Sequence, residues 1–178
     1  MARRQRNVSK RIEDAIEQED WLQARRFIRQ SLTQEPDSHW LLSRLALTYY
    51  EQKQYHKALH YDLRALQIEP HCPLAVWGYA GALDMLGRNK KALQVFRWLG
   101  SWDEDLLAYG PCGEGIQNAR SLIADCFYRI ARILEETGQR KRAIGAYKTH
   151  LAKRTRGTRC IYPINDVRSR LRKLEAAK

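Results

Sequence analysis

The chain of 178 residues contains no run of about eighteen apolar residues, the length a helix needs to cross a bilayer. Its N-terminus, MARRQRNVSKRIED, is basic and lacks the apolar stretch of a secretory signal. A soluble, cytoplasmic protein is the expectation. Cysteine is sparse: Cys72, Cys112, Cys126 and Cys160 stand far apart with no C-x-x-C among them. That spacing argues against a structural zinc or a redox motif and leaves reduced thiols. Acidic residues are nearly missing from the two ends. Residues 1–11 carry +5 and residues 140–178 carry +11, whereas residues 12–139 carry −4, so the formal net charge of +12 belongs to the termini.

Recognisable catalytic constellations are missing too. His56 and His60 have an i, i+4 spacing that can hold a metal, but HKALH supplies no neighbouring Glu and no third ligand. Cys112 lies in GPCGEG, where Gly and Pro are explained by a loop and no base is placed by spacing. The sequence is therefore read as noncatalytic, without metal or cofactor.

What the chain does have is a period. Ala24, Ala58 and Ala92 are separated by 34 residues, as are Pro36 and Pro70. Self-similarity at that spacing indicates a helical repeat array. In the central copy, residues 39–72, Leu42, Leu45, Ala46 and Tyr49 recur at helical spacing, and Tyr55, Ala58, Leu59, Ala65 and Leu66 do so again after a polar break. Asp37 or Ser38 can cap the first helix, and Pro70 ends the second. Ala46 and Ala58 fall where the paired helices approach closely, which requires small residues.

The stretch Leu42-x2-Leu45-Ala46-x2-Tyr49, followed by Ala58, Ala65 and Pro70, resembles the tetratricopeptide repeat. The resemblance covers about residues 5–154. It implies an all-α fold, a right-handed superhelical array of antiparallel helix pairs forming an α-solenoid. One departure is Asp62, which stands where the family usually has an aromatic, with Tyr61 beside it, so the second helix of this copy is expected to be rotated or less well packed.

Four repeats follow, at about 5–38, 39–72, 73–106 and 124–157, within a repeat domain spanning 1–162. The first is degenerate, as terminal repeats often are. In the third, Gly87 fits a left-handed helix end. After Phe96 the period breaks, since the next matching Ala is Ala143, 51 residues beyond Ala92. An insert at about 107–123 accounts for the difference, with Gly110, Pro111, Gly113 and Gly115 marking a loop. A long helix from about Gly115 to Thr137, ended by Gly138, and a second from about Gln139 to Lys153 complete the fourth repeat. Residues 163–178 form a basic capping helix. Asn165 or Asp166 would cap it, Val167, Leu171 and Leu174 would make its apolar stripe, and Arg168, Arg170, Arg172 and Lys173 would face outward.

In the family, first helices line a concave groove that holds partner segments. By resemblance, the groove positions are Arg6, Ser9, Lys10 and Glu13, then Trp40, Ser43, Arg44 and Leu47, then Leu74, Trp77, Gly78 and Gly81, and finally Asp125, Tyr128, Arg129 and Arg132. Trp40, Leu47, Leu74 and Trp77 would form the floor, with Gly78 and Gly81 admitting a ligand to the backbone; the alternative is that the tryptophans pack between repeats and the glycines admit a bulky neighbour. The family's clamp for chaperone C-terminal carboxylates is not reproduced, because Ser9, Glu13, Arg44, Leu74 and Gly78 replace its residues, although Arg44 and Lys10 could meet a carboxylate.

The resemblance thus implies an interaction scaffold or adaptor, chaperone-like in use, that binds another protein or peptide, with a homo-oligomer allowed. A second reading rests on charge: Arg140, Lys141, Arg142, Lys153, Arg154, Arg156 and Arg159 could track nucleic acid or an acidic protein. Tyr147 and Tyr162 interleave with these residues but read as core or cap contacts rather than base-stacking platforms.

Overall fold

The computed structural model describes residues 2–155 and 157–176, with side chains from residue 7 onward. Ten helices are present among the described residues: α1 Ala2–Glu17, α2 Trp21–Leu32, α3 His39–Glu51, α4 Tyr55–Ile68, α5 Pro73–Met85, α6 Asn89–Gly100, α7 Glu104–Tyr109, α8 Ile116–Glu136, α9 Arg140–Lys153 and α10 Ile164–Ala176. None is long and apolar enough to cross a membrane. The chain divides into two compact units, residues 1–87 and 88–178. The boundary falls between α5 and α6, inside the repeat that the period assigns to residues 73–106.

In the first unit α1 pairs with α2 and α3 with α4, while α3 and α4 both pack on α5. The alanines that mark the period lie at these seams: Ala24, Ala46, Ala58 and Ala80 are all buried. Larger side chains there would push helix axes apart. Ser38 rather than Asp37 caps α3, accepting from the Leu41 N–H, and Asp20 caps α2 through the Gln23 N–H at 3.0 Å. Pro73 opens α5, where a missing N–H leaves no bond unmade. Arg25 ties α2 to α3 by donating to Gln52 Oε1 at 2.8 Å.

The corner between paired helices repeats as closely as the alanines do. Glu19 (φ 56°), Lys53 (φ 59°) and Gly87 (φ 70°) are left-handed and 34 residues apart, and Gly138 (φ 72°) takes the same role in the fourth pair. Two of these four corners use residues with a Cβ, for which that conformation is strained.

In the second unit α6 and α7 pack on α8, α8 pairs with α9, and α10 lies on α9. Between α6 and α9 lie the short helix α7, capped by Asp103, a loop over 110–115 and the long helix α8. Gly113 is required there by close approach, since a Cβ would fall 2.3 Å from the Ala108 carbonyl oxygen. Buried Leu107 and Ala108 fix α7, and Arg120 on α8 pairs with Glu104 at 2.9 Å.

The last helix departs from expectation in two respects. Asn165 and Asp166 lie inside its first turn rather than before it, because the Pro163 carbonyl accepts the N–H groups of Asp166 and Val167. Arg170 turns inward to Glu135, 3.3 Å away, while Arg168, Arg172 and Lys173 stay exposed. Val167 is fully buried. The other end is tied by Arg140, which donates through Nε to the Leu174 carbonyl at 2.6 Å and through Nη2 to that of Glu175 at 3.3 Å. A cation on the free carbonyls of a last turn stabilises it.

Candidate interaction faces

The face positions named from the sequence fall on α1, α3 and α5 in residues 1–87 and on α8 in residues 88–178. In residues 1–87 they include Trp40, Ser43, Arg44, Leu47, Leu74, Trp77, Gly78 and Gly81. Trp40, Leu47, Leu74 and Trp77 are partly exposed, so four large apolar side chains retain contact with solvent. The smaller positions serve packing. Ser43 is buried and donates to the His39 carbonyl at 2.9 Å. A Cβ at Gly81 would lie 3.4 Å from the Tyr50 ring, and one at Gly78 would lie 2.7 Å from Asp62 Oδ2. The distance at Gly81 is near ordinary contact, whereas Gly78 makes room for a side chain of its own unit.

Arg44 is engaged as well. Its Nε lies 2.7 Å from Glu13 Oε1, an ion pair whose angle is too oblique for a hydrogen bond, and its guanidinium sits 5.5 Å from the Trp40 ring centroid. Ser9 is partly exposed and Lys10 exposed, while the Arg6 side chain lies outside the described residues.

Asp62 is 2% exposed, and burial pushes its carboxyl well above the ordinary carboxylate range. The acid lies opposite Gly78 on α5, whose missing Cβ leaves room for the carboxylate.

On α8 the predicted face is Asp125, Tyr128, Arg129 and Arg132, and the chain's own strap, residues 157–163, reaches the first three. The strap runs along α8 in the same direction. Arg159 N–H donates to Ser121 Oγ at 2.8 Å, and Ile161 N–H donates to Asp125 Oδ2 at 2.9 Å. Tyr162 then stacks on Tyr128 with centroids 3.7 Å apart and planes 15° from parallel. Arg154 Nη1 donates to the Tyr162 carbonyl at 2.7 Å, holding the far end of the segment. Arg129 approaches both the Tyr162 hydroxyl, at 3.5 Å, and the Phe96 ring, while Arg132 pairs with Glu136.

Beneath the strap sits a polar cluster. Asp125 is 4% exposed and burial raises its pKa to about 6, against the opposing pull of the Ile161 N–H, the Cys160 thiol and the Arg154 charge. Buried His150 places Nδ1 2.8 Å from the Ala124 carbonyl, and burial lowers its pKa despite that bond. Burial pushes the Cys160 thiol up to about 11, with Asp125 adding to the rise. Sequence reasoning did not bring Ser121, His150, Cys160 and Tyr162 together. The available signal was the pair Ser121 and Asp125, polar residues one turn apart on α8 and both buried.

The basic residues are divided between structure and surface. Arg140 and Arg154 make the internal bonds described above, and Lys153 lies 5.8 Å from the Phe127 ring. Lys141, Arg142 and Arg159 are exposed, whereas Arg156 lies outside the described residues. Tyr147 is fully buried and donates to Glu135 Oε2 at 2.6 Å. His56 and His60 are both exposed.

Comparison with known proteins places this geometry. The tetratricopeptide repeat family model matches residues 125–149, from the middle of α8 through most of α9. No curated protein matches the chain in sequence. Among solved structures, the MamA protein is 16% identical with a TM-score of 0.61, covering 86% of this chain and 74% of that one. MamA from Desulfovibrio magneticus RS-1 is 14% identical with a TM-score of 0.62, covering 84% and 75%. A tetratricopeptide repeat protein from Parabacteroides merdae is 15% identical with a TM-score of 0.50, covering 94% and 70%. At these identities the likeness is one of fold. The chain thus carries one matched tetratricopeptide repeat, at residues 125–149, and shares the all-α fold of these structures.

Proposed function

We propose that the chain is a noncatalytic scaffold that holds an extended segment of a partner protein against the first-helix face of residues 1–87. The observation that carries this reading is the strap on α8. There a first helix receives a non-helical stretch of backbone, with alternate N–H groups accepted by side chains one turn apart and an aromatic stacked at the end. The partly exposed Trp40, Leu47, Leu74 and Trp77 supply the apolar anchors that such recognition needs. A cytoplasmic setting suits the four free cysteines. The nucleic-acid reading is the weaker one, because Arg140 and Arg154 are committed to internal bonds.

The test begins with tagged protein recovered from its native extract at low and high salt, with and without nuclease, and identification of what is retained. Affinity for overlapping peptides of a retained protein is then measured with Leu74→Ala and Trp77→Ala. Loss of an interfacial anchor costs about 1–4 kcal/mol, so affinity falls about fivefold or more while helicity and melting stay near wild type. Unchanged affinity in both variants, or recovery abolished by nuclease, overturns the reading.

A further inference from the structure

The polar cluster under the strap contains three chemically different donors drawn from three separate elements: the carboxylate of Asp125 on α8, the imidazole of His150 on α9 and the thiol of Cys160 on the strap. One ligand atom from each lies within 4.8 Å of the other two. Asp125 Oδ1 is buried and makes no hydrogen bond, its neighbour His150 Nδ1 lying 4.0 Å away, whereas Oδ2 is held by Ile161 N–H. A buried carboxylate oxygen left without a hydrogen bond is unfavourable, and it points to a group that completes the cluster. We propose that Asp125, His150 and Cys160 form a binding site for a borderline-soft divalent cation, zinc being the best match to an O, N and S donor set.

The surroundings suit coordination. His150 donates Nδ1–H to the Ala124 carbonyl at 2.8 Å, the arrangement that fixes a metal-binding imidazole and leaves Nε2 with its lone pair. Arg154 Nη1 is 3.4 Å from Nε2, and coordination there displaces that long contact while leaving the guanidinium on the Tyr162 carbonyl. Ligand atoms around a four-coordinate zinc lie about 3.3–3.8 Å apart at bond lengths of about 2.0–2.3 Å. The cluster therefore contracts by about an ångström, and Cys160, on a loop, is the member able to move. The thiol S–H bond is replaced by a sulfur–metal bond and its proton passes to solvent. A fourth position remains for water or an outside ligand.

The absence of any C-x-x-C does not conflict with this site. Asp125, His150 and Cys160 are 25 and 10 residues apart, a spacing that only the fold brings together. Bound metal would join α8, α9 and the strap, locking the strap down on the α8 face.

Untagged, metal-free full-length protein titrated with Co2+ under reducing conditions tests the site. The expected result is one ion per chain, with a thiolate-to-cobalt absorption band in the near ultraviolet and visible bands of a four-coordinate ion, reversed by excess Zn2+. Cys160→Ser should abolish the near-ultraviolet band, and Asp125→Asn should weaken binding at least tenfold, with far-ultraviolet circular dichroism confirming that each variant is folded. Should Asp125→Asn fail to fold, Cys160→Ser, at a partly exposed position, still decides. Absence of saturable binding, or an unchanged band and affinity in Cys160→Ser, overturns the proposal.

Discussion

The carboxylate of Asp62 on α4 occupies the space that a side chain at Gly78 on α5 would fill: a Cβ on the glycine would fall 2.7 Å from one oxygen and 2.8 Å from the other. The acid and the glycine are one packing unit. Gly78→Ala should therefore lower stability by about 1–2 kcal/mol, the overpacking strain outweighing the gain of up to about 1 kcal/mol in helix propensity. In an Asp62→Ala background the same substitution should become neutral or stabilising. Chemical denaturation of the four proteins of this cycle measures the coupling; simple additivity would show that the two residues do not share the space.

Asp62 also sets a pH dependence. Burial raises its folded-state pKa above the ordinary value of 3.8, so the folded state holds the proton more tightly than the unfolded one. Its contribution to stability is fully present below about 3.8 and is lost as pH rises toward the folded value. The slope reaches at most about 1.4 kcal/mol per pH unit. Asp62→Asn should remove this component and be more stable than wild type at neutral pH, with the difference shrinking in acid. Parallel pH profiles of the two proteins would contradict it.

The corner residues make a third prediction. Lys53 adopts φ 59° where Gly87 adopts φ 70° in the next repeat. Lys53→Gly should raise the melting free energy by about 0.5–1 kcal/mol, since the left-handed strain of about 1–2 kcal/mol is removed and only part of it is returned as unfolded-chain entropy. Gly87→Ala should move in the opposite direction. Thermal melts of both variants against wild type decide the matter.

For the strap, Tyr162→Ala removes the stack on Tyr128, an interaction worth about 0.5–1.5 kcal/mol beyond its buried area. Amide exchange at Arg159 and Ile161 should accelerate while the α9 amides stay protected. Equal acceleration of both would mean that the strap opens only with the whole unit.

Much of this organisation was legible in the sequence, because repeat packing imposes a period on small residues. Ala24, Ala58, Ala92 and Ala143 are all fully buried, and α7 and the loop over 110–115 lie in the interval where the spacing lengthens from 34 to 51 residues. The left-handed corners at Glu19 and Lys53 were not legible, since neither residue type announces that conformation; only Gly87 and Gly138 did. Arg170 was assigned to solvent by its place off the apolar stripe, yet it reaches Glu135, because a long side chain can leave the face its Cα occupies. The strap cluster escaped notice for a different reason. Its members belong to α8, α9 and a loop, and no local pattern links elements that meet only after folding.

The strap keeps step with α8. Two residues of extended chain advance about 6.6 Å and four residues of helix about 6 Å. The two bonds from Arg159 and Ile161 to Ser121 and Asp125 pair an interval of two strap residues with an interval of four helix residues, so the helix works as a vernier for the backbone lying along it. Phase follows from this. Inserting one residue between Arg159 and Cys160 would bring the wrong N–H to Asp125 and turn the following side chains to the opposite side, whereas inserting two restores the alternation. Any segment that takes the strap's place on α8 must satisfy the same parity.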